Sequence, residues 1–286
     1  MDIRGRRKSS NIEDRRGMRP VRTGVGLSLG GVLFLVVLSL FGINPLPFLG
    51  VATKAPEVQI QESPEPYQES PQETQLRELT AVVLADTEET WGAILPKYGI
   101  QYVEPTLVLF SGAVQSGCGT AESAMGPFYC PLDQKLYIDM SFYDDLSRRF
   151  GAPGDFAQAY VIAHEVGHHV QNLVGTAEKV RGMQERMSPA DANALSVRME
   201  LQADCFAGVW ANHAARSRQL LEAGDIEEGL NAASAIGDDR LQHMSQGRVV
   251  PDAFTHGSSE QRARWFRKGL EAGTPDVCDT FSAKQL

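Results

Sequence analysis

Hydrophobic residues along this chain fall into three regimes. The twenty residues from Gly24 to Ile43 carry no charge (GVGLSLGGVLFLVVLSLFGI), enough to cross the roughly 30 Å hydrocarbon layer of a membrane as a helix. Residues 44–74 follow with six prolines, five glutamates and only scattered large apolar side chains. That composition builds no core and reads as a disordered linker. From Leu76 onward apolar positions return at helical spacing. Leu76, Leu79, Val82, Val83, Trp91, Ile94 and Leu95 predict an amphipathic helix over 75–95.

Two short apolar runs then read as strands. Thr106–Phe110 ends at Ser111-Gly112, and Lys135–Asp139 sets Leu136 and Ile138 on one face. Beyond residue 141 the pattern is helical, over roughly 141–150, 155–174, 176–187, 189–216, 225–246 and 259–272. Ser188-Pro189 is a helix start, with an N-cap residue before a proline, and Gly175 suits a helix stop. A small sheet followed by a helix-rich half makes 75–286 a single α+β domain.

Charge changes this picture at the N-terminus. The net charge is −9, but residues 1–22 hold eight basic side chains against three acids, a local +5 that leaves −14 on the rest. An acidic body argues against nucleic acid as a partner. The basic stretch instead flanks the uncharged run, and such an excess marks the cytoplasmic end of a span. The expectation is a basic cytoplasmic tail (1–23) and one transmembrane helix (24–43) in the cell's inner membrane. The domain then lies on the periplasmic, extracytoplasmic side. A cleaved signal peptide would share the charge pattern, but its apolar core is shorter and no A-x-A site follows Ile43. The four cysteines form no C-x-x-C pair. In an exported domain they suggest disulfides, Cys118–Cys130 closing a short Gly-rich loop and Cys205–Cys278 tying a helix to the C-terminus. Four free thiols would suit a reducing compartment instead.

The most informative segment is Tyr160-Val-Ile-Ala-His164-Glu165-Val-Gly-His168-His169-Val170. Positions i and i+4 share a helix face, so His164 and His168 can present their imidazoles to one metal ion. Glu165 projects beside that ion, where it can take a proton from an attacking water. Gly167 allows another element to approach closely. A third histidine ten residues after the first, with glycine at the seventh, would define one class of zinc site, but those positions are Val174 and Gln171. The alternative is an acid on a later helix, and Glu200 and Asp204 lie four apart on a largely apolar one. Unpaired carboxylates are expensive to bury. Glu200 as third ligand and Asp204 as hydrogen-bond partner of a ligand imidazole would satisfy both.

Four blocks now resemble a known family: GPFYCP-x-D-x-K-x-YIDxSF at 126–142, HEVGHHVQ at 164–171, ELQADCFAGVWA at 200–211 and GRVVPDAFTHGSSEQR at 247–262. Together they look like the neutral zinc metallopeptidases of membrane-anchored bacterial proteins, and HEVGHH followed by ELQAD resembles the gluzincin arrangement of thermolysin-like enzymes. The resemblance runs from about residue 75 to the C-terminus. It implies a zincin-like fold and Zn2+ held by His164, His168 and Glu200, with Glu165 as general base. His256, in a loop opening a helix, is the candidate catalytic donor to the oxyanion, with Tyr160 or Tyr129 as alternatives. His169 faces about 100° away from His168 and reads as structural, while His213 and His243 stand alone.

The expected function is a membrane-tethered zinc endopeptidase whose partners are protein or peptide segments of the cell envelope. An extended substrate would add to a sheet edge at Ser123–Tyr129, where Pro127 suits an edge strand. A non-proteolytic zinc scaffold is one rival, and Glu165 argues against it, because a structural zinc site has no use for a base. A zinc amidase acting on cell-wall peptides is the other, since it would use the same chemistry.

Overall fold

The computed structural model describes residues 1–23, 57–62 and 67–286. The chain opens with β1 (Ile12–Asp14) and β2 (Met18–Thr23), and β3 (Glu57–Glu62) pairs antiparallel with β2. Helix α1 (Pro71–Ile94) starts at Ser70, whose hydroxyl and the Glu73 carboxylate form a reciprocal capping box with Pro71 in the first turn. Strands β4 (Thr106–Phe110), β5 (Ala113–Ser116), β6 (Gly119–Glu122), β7 (Phe128–Cys130) and β8 (Lys135–Asp139) follow. The main sheet runs in the order β1-β4-β8-β7, with β1 and β8 parallel to β4 and β7 antiparallel to β8. Alternation along the strands serves two cores. Leu107, Leu109, Leu136 and Ile138 face the helices, whereas Val108, Phe110 and Tyr137 meet Val114, Ala121 and Cys130 of the opposite layer.

The helical half comprises α2 (Ser141–Arg148), α3 (Asp155–Leu173), α4 (Thr176–Gln184), α5 (Pro189–Arg216), α6 (Asp225–Ala235), α7 (Asp238–Gln246) and α8 (Ser259–Ala272). Helix α3 is central, packing on α1, α5, α6 and the β7–β8 edge, and α5 packs on α8. Phe156 stacks on Trp210 across α3 and α5, with ring centroids 5.7 Å apart. Disulfides join Cys118 to Cys130 and Cys205 to Cys278, as the spacing suggested. They brace the β5–β6 hairpin against the sheet edge and the long helix α5 against the C-terminal segment.

Two expectations change. The helix expected over 225–246 is two helices, broken at Ile236-Gly237. A Cβ on Gly237 would stand 2.3 Å from the Ser259 backbone nitrogen, so the start of α8 presses on this point. The break turns Asp238 and Asp239 toward residues 255–259, which they hold by hydrogen bonds.

The folded body is also not confined to 75–286. Residues 1–16, part of the tail expected over 1–23, pack on it, with β1 as a sheet strand and Met1 only 8% exposed. The amino group of Met1 lies 2.7 Å from Asp155 and 3.0 Å from Glu222. Ser9, Asn11 and Arg7 surround the buried Glu88 of α1, with contacts of 2.5, 2.9 and 2.8 Å. Arg16, also buried, pairs with Asp14 at 2.5 Å and Glu69 at 2.9 Å. Of the expected linker, Glu57–Glu62 is a strand and Pro71 opens a helix. The run 24–43 lies outside the described residues, among which no helix is long and apolar enough to cross a membrane.

Candidate active site

Helix α3 buries Phe156, Ala157, Tyr160 and Val166 in the core and turns His164, Glu165 and His168 into a cleft. The partner helix can come close because position 167 has no side chain. A Cβ there would meet the Ala203 carbonyl oxygen at 2.9 Å. This contact brings Glu200, about one turn before Ala203 on α5, up to the imidazoles. Glu200 Oε2 lies 3.2 Å from His164 Nε2, and Glu200 Oε1 lies 3.4 Å from His168 Nε2.

The shorter contact is within hydrogen-bond range, and both distances also suit donors that share one ion. Donor atoms on a tetrahedral zinc with bonds near 2.1 Å stand about 3.4 Å apart. The three donors lie within 4.8 Å of one another and offer two imidazole nitrogens and a carboxylate oxygen, the donor set that leaves a catalytic zinc one open position. The residues therefore fit the metal, and its sequence-expected ligands are the three brought together.

Around them the field favours a cation. Burial opposes charge on His164, but Asp204 and then Glu200 outweigh it and lift the imidazole to about 10. His168 is raised against burial by Glu200. Glu200 itself is held well below the ordinary carboxylate range, against burial, by His168 and His164. Glu165 is shifted the other way, raised by burial, and it makes no hydrogen bond among the described residues.

Behind each imidazole stands an orienting acceptor. Asp204, fully buried, takes His164 Nδ1 at 2.8 Å, as expected from its spacing. His168 Nδ1 meets Gln171 Oε1 at 2.9 Å, and Gln171 is itself held by the Met199 carbonyl at 2.7 Å. Either bond leaves Nε2 turned toward Glu200, where the three side chains could hold a metal ion. His256 lines the same cleft, with Nδ1 3.1 Å from Asp238 Oδ1 and its imidazole pKa raised by that hydrogen bond. Both alternatives to His256 are otherwise engaged. The Tyr160 hydroxyl donates to Asp204 at 2.5 Å, and the Tyr129 hydroxyl lies 3.0 Å from His169 Nδ1. His169 is fully buried, its other nitrogen 2.6 Å from the Val103 carbonyl, the structural role expected.

Three residues at the site carried no assignment from sequence: Gln171, Asp238 and Arg262. Gln171 had been read only as a position lacking glycine. Arg262 closes the GSSEQR block behind a helix cap, and a basic residue fixed at a helix start was the available signal. Nothing in the local pattern of Asp238 pointed to His256.

The chain belongs to the family described as "putative neutral zinc metallopeptidase", whose profile it matches over residues 1–281. That match includes the N-terminal segment, beyond the stretch the four blocks cover. The chain is 52% identical over 287 residues to "Uncharacterized protein YpfJ" of Escherichia coli (strain K12), across 98% of this chain and 99% of that one. It is 46% identical over 209 residues to "Uncharacterized protein Rv2575" of Mycobacterium tuberculosis (strain ATCC 25618 / H37Rv), across 70% of this chain and 68% of that one. No solved structure matches it. Family membership implies zinc as the metal.

Proposed function

We propose that this protein is a zinc metallopeptidase that hydrolyses peptide bonds in extended segments of cell-envelope proteins. The observation that carries the reading is the buried Glu165 carboxylate, without a hydrogen bond among the described residues, beside a three-donor set in a cleft of about 720 Å³ that His256 also lines. Zinc held by His164, His168 and Glu200 would acidify a water and polarise a carbonyl. Glu165 takes a proton from the attacking water and passes it to the leaving nitrogen. His256, with Nδ1 turned to Asp238, directs Nε2 at the carbonyl oxygen as negative charge develops there. The substrate strand adds along β7, the last strand in the sheet order. Ser123–Met125 is a helical turn, so this edge is Phe128–Cys130 rather than the longer Ser123–Tyr129.

The test is hydrolysis of a peptide library by the purified chain. Activity should vanish with a chelator and return with zinc. His256→Ala should keep the metal and lower kcat about 100- to 1,000-fold with little change in KM, the loss typical of one oxyanion donor. A zinc-loaded chain that cleaves no peptide would sink the reading.

The membrane reading is proposed with one change. The run 24–43 attaches the protein to the cell membrane, and two disulfides favour the extracytoplasmic side. Residues 1–16, however, lie on that side with the body. Arg7, Lys8, Arg15 and Arg16 pair with Glu88, Glu78, Glu13 and Asp14, so pairing within the fold accounts for basic charge first read as a cytoplasmic marker. Thr23 stands opposite Glu57 in the β2–β3 ladder, so the chain leaves and returns at neighbouring points. A full crossing by 24–43 would leave only residues 44–56 for the return, fewer than the roughly 20 a helix needs. Cysteines introduced at the exposed Ser10 and Glu271 should both react with an impermeant maleimide from one side of the membrane. Labelling from opposite sides would restore the single-crossing topology.

A further inference from the structure

Arg262 is the one buried cation beside the metal centre among the described residues, only 2% exposed. It leaves the start of α8 and reaches the point where α3, α5 and the end of α6 meet. Its Nε donates to Asp204 Oδ2 at 2.9 Å and its Nη2 to Asp204 Oδ1 at 3.0 Å. The same Nη2 lies 3.2 Å from the Tyr160 hydroxyl, and Nη1 lies 3.2 Å from the Ile236 carbonyl. We propose that Arg262 is a positioning residue of the metal centre, a planar fork that fixes the Asp204 carboxylate so that His164 is held with Nε2 toward the metal.

The argument is geometric. Among the described residues Asp204 is the only carboxylate holding His164 Nδ1, and its Oδ1 also receives Tyr160 and Nη2 of Arg262. Three donors converge on one oxygen and Nε takes the other, so the rotation of the carboxylate is determined by the guanidinium plane. A bidentate pair confers this directional constraint and a point cation does not. Such a buried pair is weak support for fold stability in itself, since apolar replacements of both partners are often neutral. What it supplies here is the direction of the imidazole. The capping box of α8, formed by Ser258 and Gln261, fixes the turn from which Arg262 projects. His256 sits in the loop just before that turn, so one short segment supports both walls of the site.

The inference rests on the zinc reading, and its test separates the two. Zinc affinity of the whole chain is measured by competition with a chromophoric chelator, with thermal unfolding of the metal-free chain as the fold control. Wild type, Arg262→Met, Arg262→Lys, Asp204→Asn and the Asp204→Asn/Arg262→Met double variant are compared. Each Arg262 single variant should bind zinc about 10- to 100-fold more weakly, the usual loss for a partner behind a ligand. In the Asp204→Asn background Arg262→Met should add less than about threefold, because its effect runs through Asp204. Full affinity in Arg262→Lys would show that charge suffices and overturn the proposal, as would losses that multiply in the double variant. If Arg262→Met does not fold, the lysine variant decides alone. A wild-type chain that takes up no zinc would instead remove the metal reading beneath it.

Discussion

Glu165→Gln is expected to retain one zinc per chain and to lose peptide hydrolysis by about 100- to 10,000-fold, the range for a general base. That factor corresponds to about 3–5 kcal/mol of barrier. The change is nearly isosteric, and Glu165 makes no hydrogen bond to lose among the described residues. Its carboxylate is also not among the three donors that converge. The substitution therefore separates metal binding from catalysis, which a ligand variant such as Glu200→Ala cannot do. Removing Glu200 takes away a donor shared between both imidazoles, so zinc and activity should fall together. The measurements are metal content after gel filtration and kcat/KM on a library-derived peptide. Hydrolysis by Glu165→Gln within a few-fold of wild type would end the assignment of Glu165 as base.

Deleting residues 1–16 should destabilise the body although they lie far from α3 in sequence. The deletion removes the buried Met1, the half-buried Ile12 and the β1–β4 ladder. At about 1.5–3 kcal/mol for a buried apolar side chain and about 1 kcal/mol per hydrogen bond, the loss is on the order of 3–5 kcal/mol. For a domain of this size that lowers the unfolding midpoint by roughly 10 °C. It also bares the β4 edge to other chains. Thermal unfolding and light scattering of the full and shortened chains check this, and equal midpoints would refute it. Acid should also lower the stability of the folded chain. Arg15 and, against burial, Lys135 hold the Glu13 carboxyl at about 2. A depressed carboxyl contributes stability that is present above its ordinary pKa near 4.5 and is lost as pH falls toward about 2.

The legible parts of the fold were those written in local periodicity. The helices 189–216 and 259–272 have their expected limits, because Ser188-Pro189 and the Ser258 cap act within one turn. The strands 106–110 and 135–139 also stand as expected. The break at Gly237 was not legible, since its cause is Ser259 pressing from another helix. At the site, the i, i+4 spacing put His164 and His168 on one face. Glu200 followed from the absence of histidine at 174. His256 was the candidate for the oxyanion with Tyr160 as an alternative, and only the tertiary contact of the Tyr160 hydroxyl with Asp204 separates the two.

The basic segment shows the boundary most clearly. From sequence its charge could be read only as a sum, +5 beside an uncharged run, and a sum suggested a tail set apart from the body. The structure resolves that sum into pairs, Arg7 with Glu88 and Arg16 with Glu69 among them, across separations of 81 and 53 residues. Sequence alone determined which helix carries the imidazoles, which face they share and which acid could join them, because helical geometry repeats every few residues and acts locally. Tertiary structure decided where residues 1–16 lie, that Gln171 and Arg262 stand behind His168 and His164, and that His256 reaches the cleft. Those outcomes depend on ion pairs and close approaches between elements distant in the chain, and a linear pattern carries no distance between them.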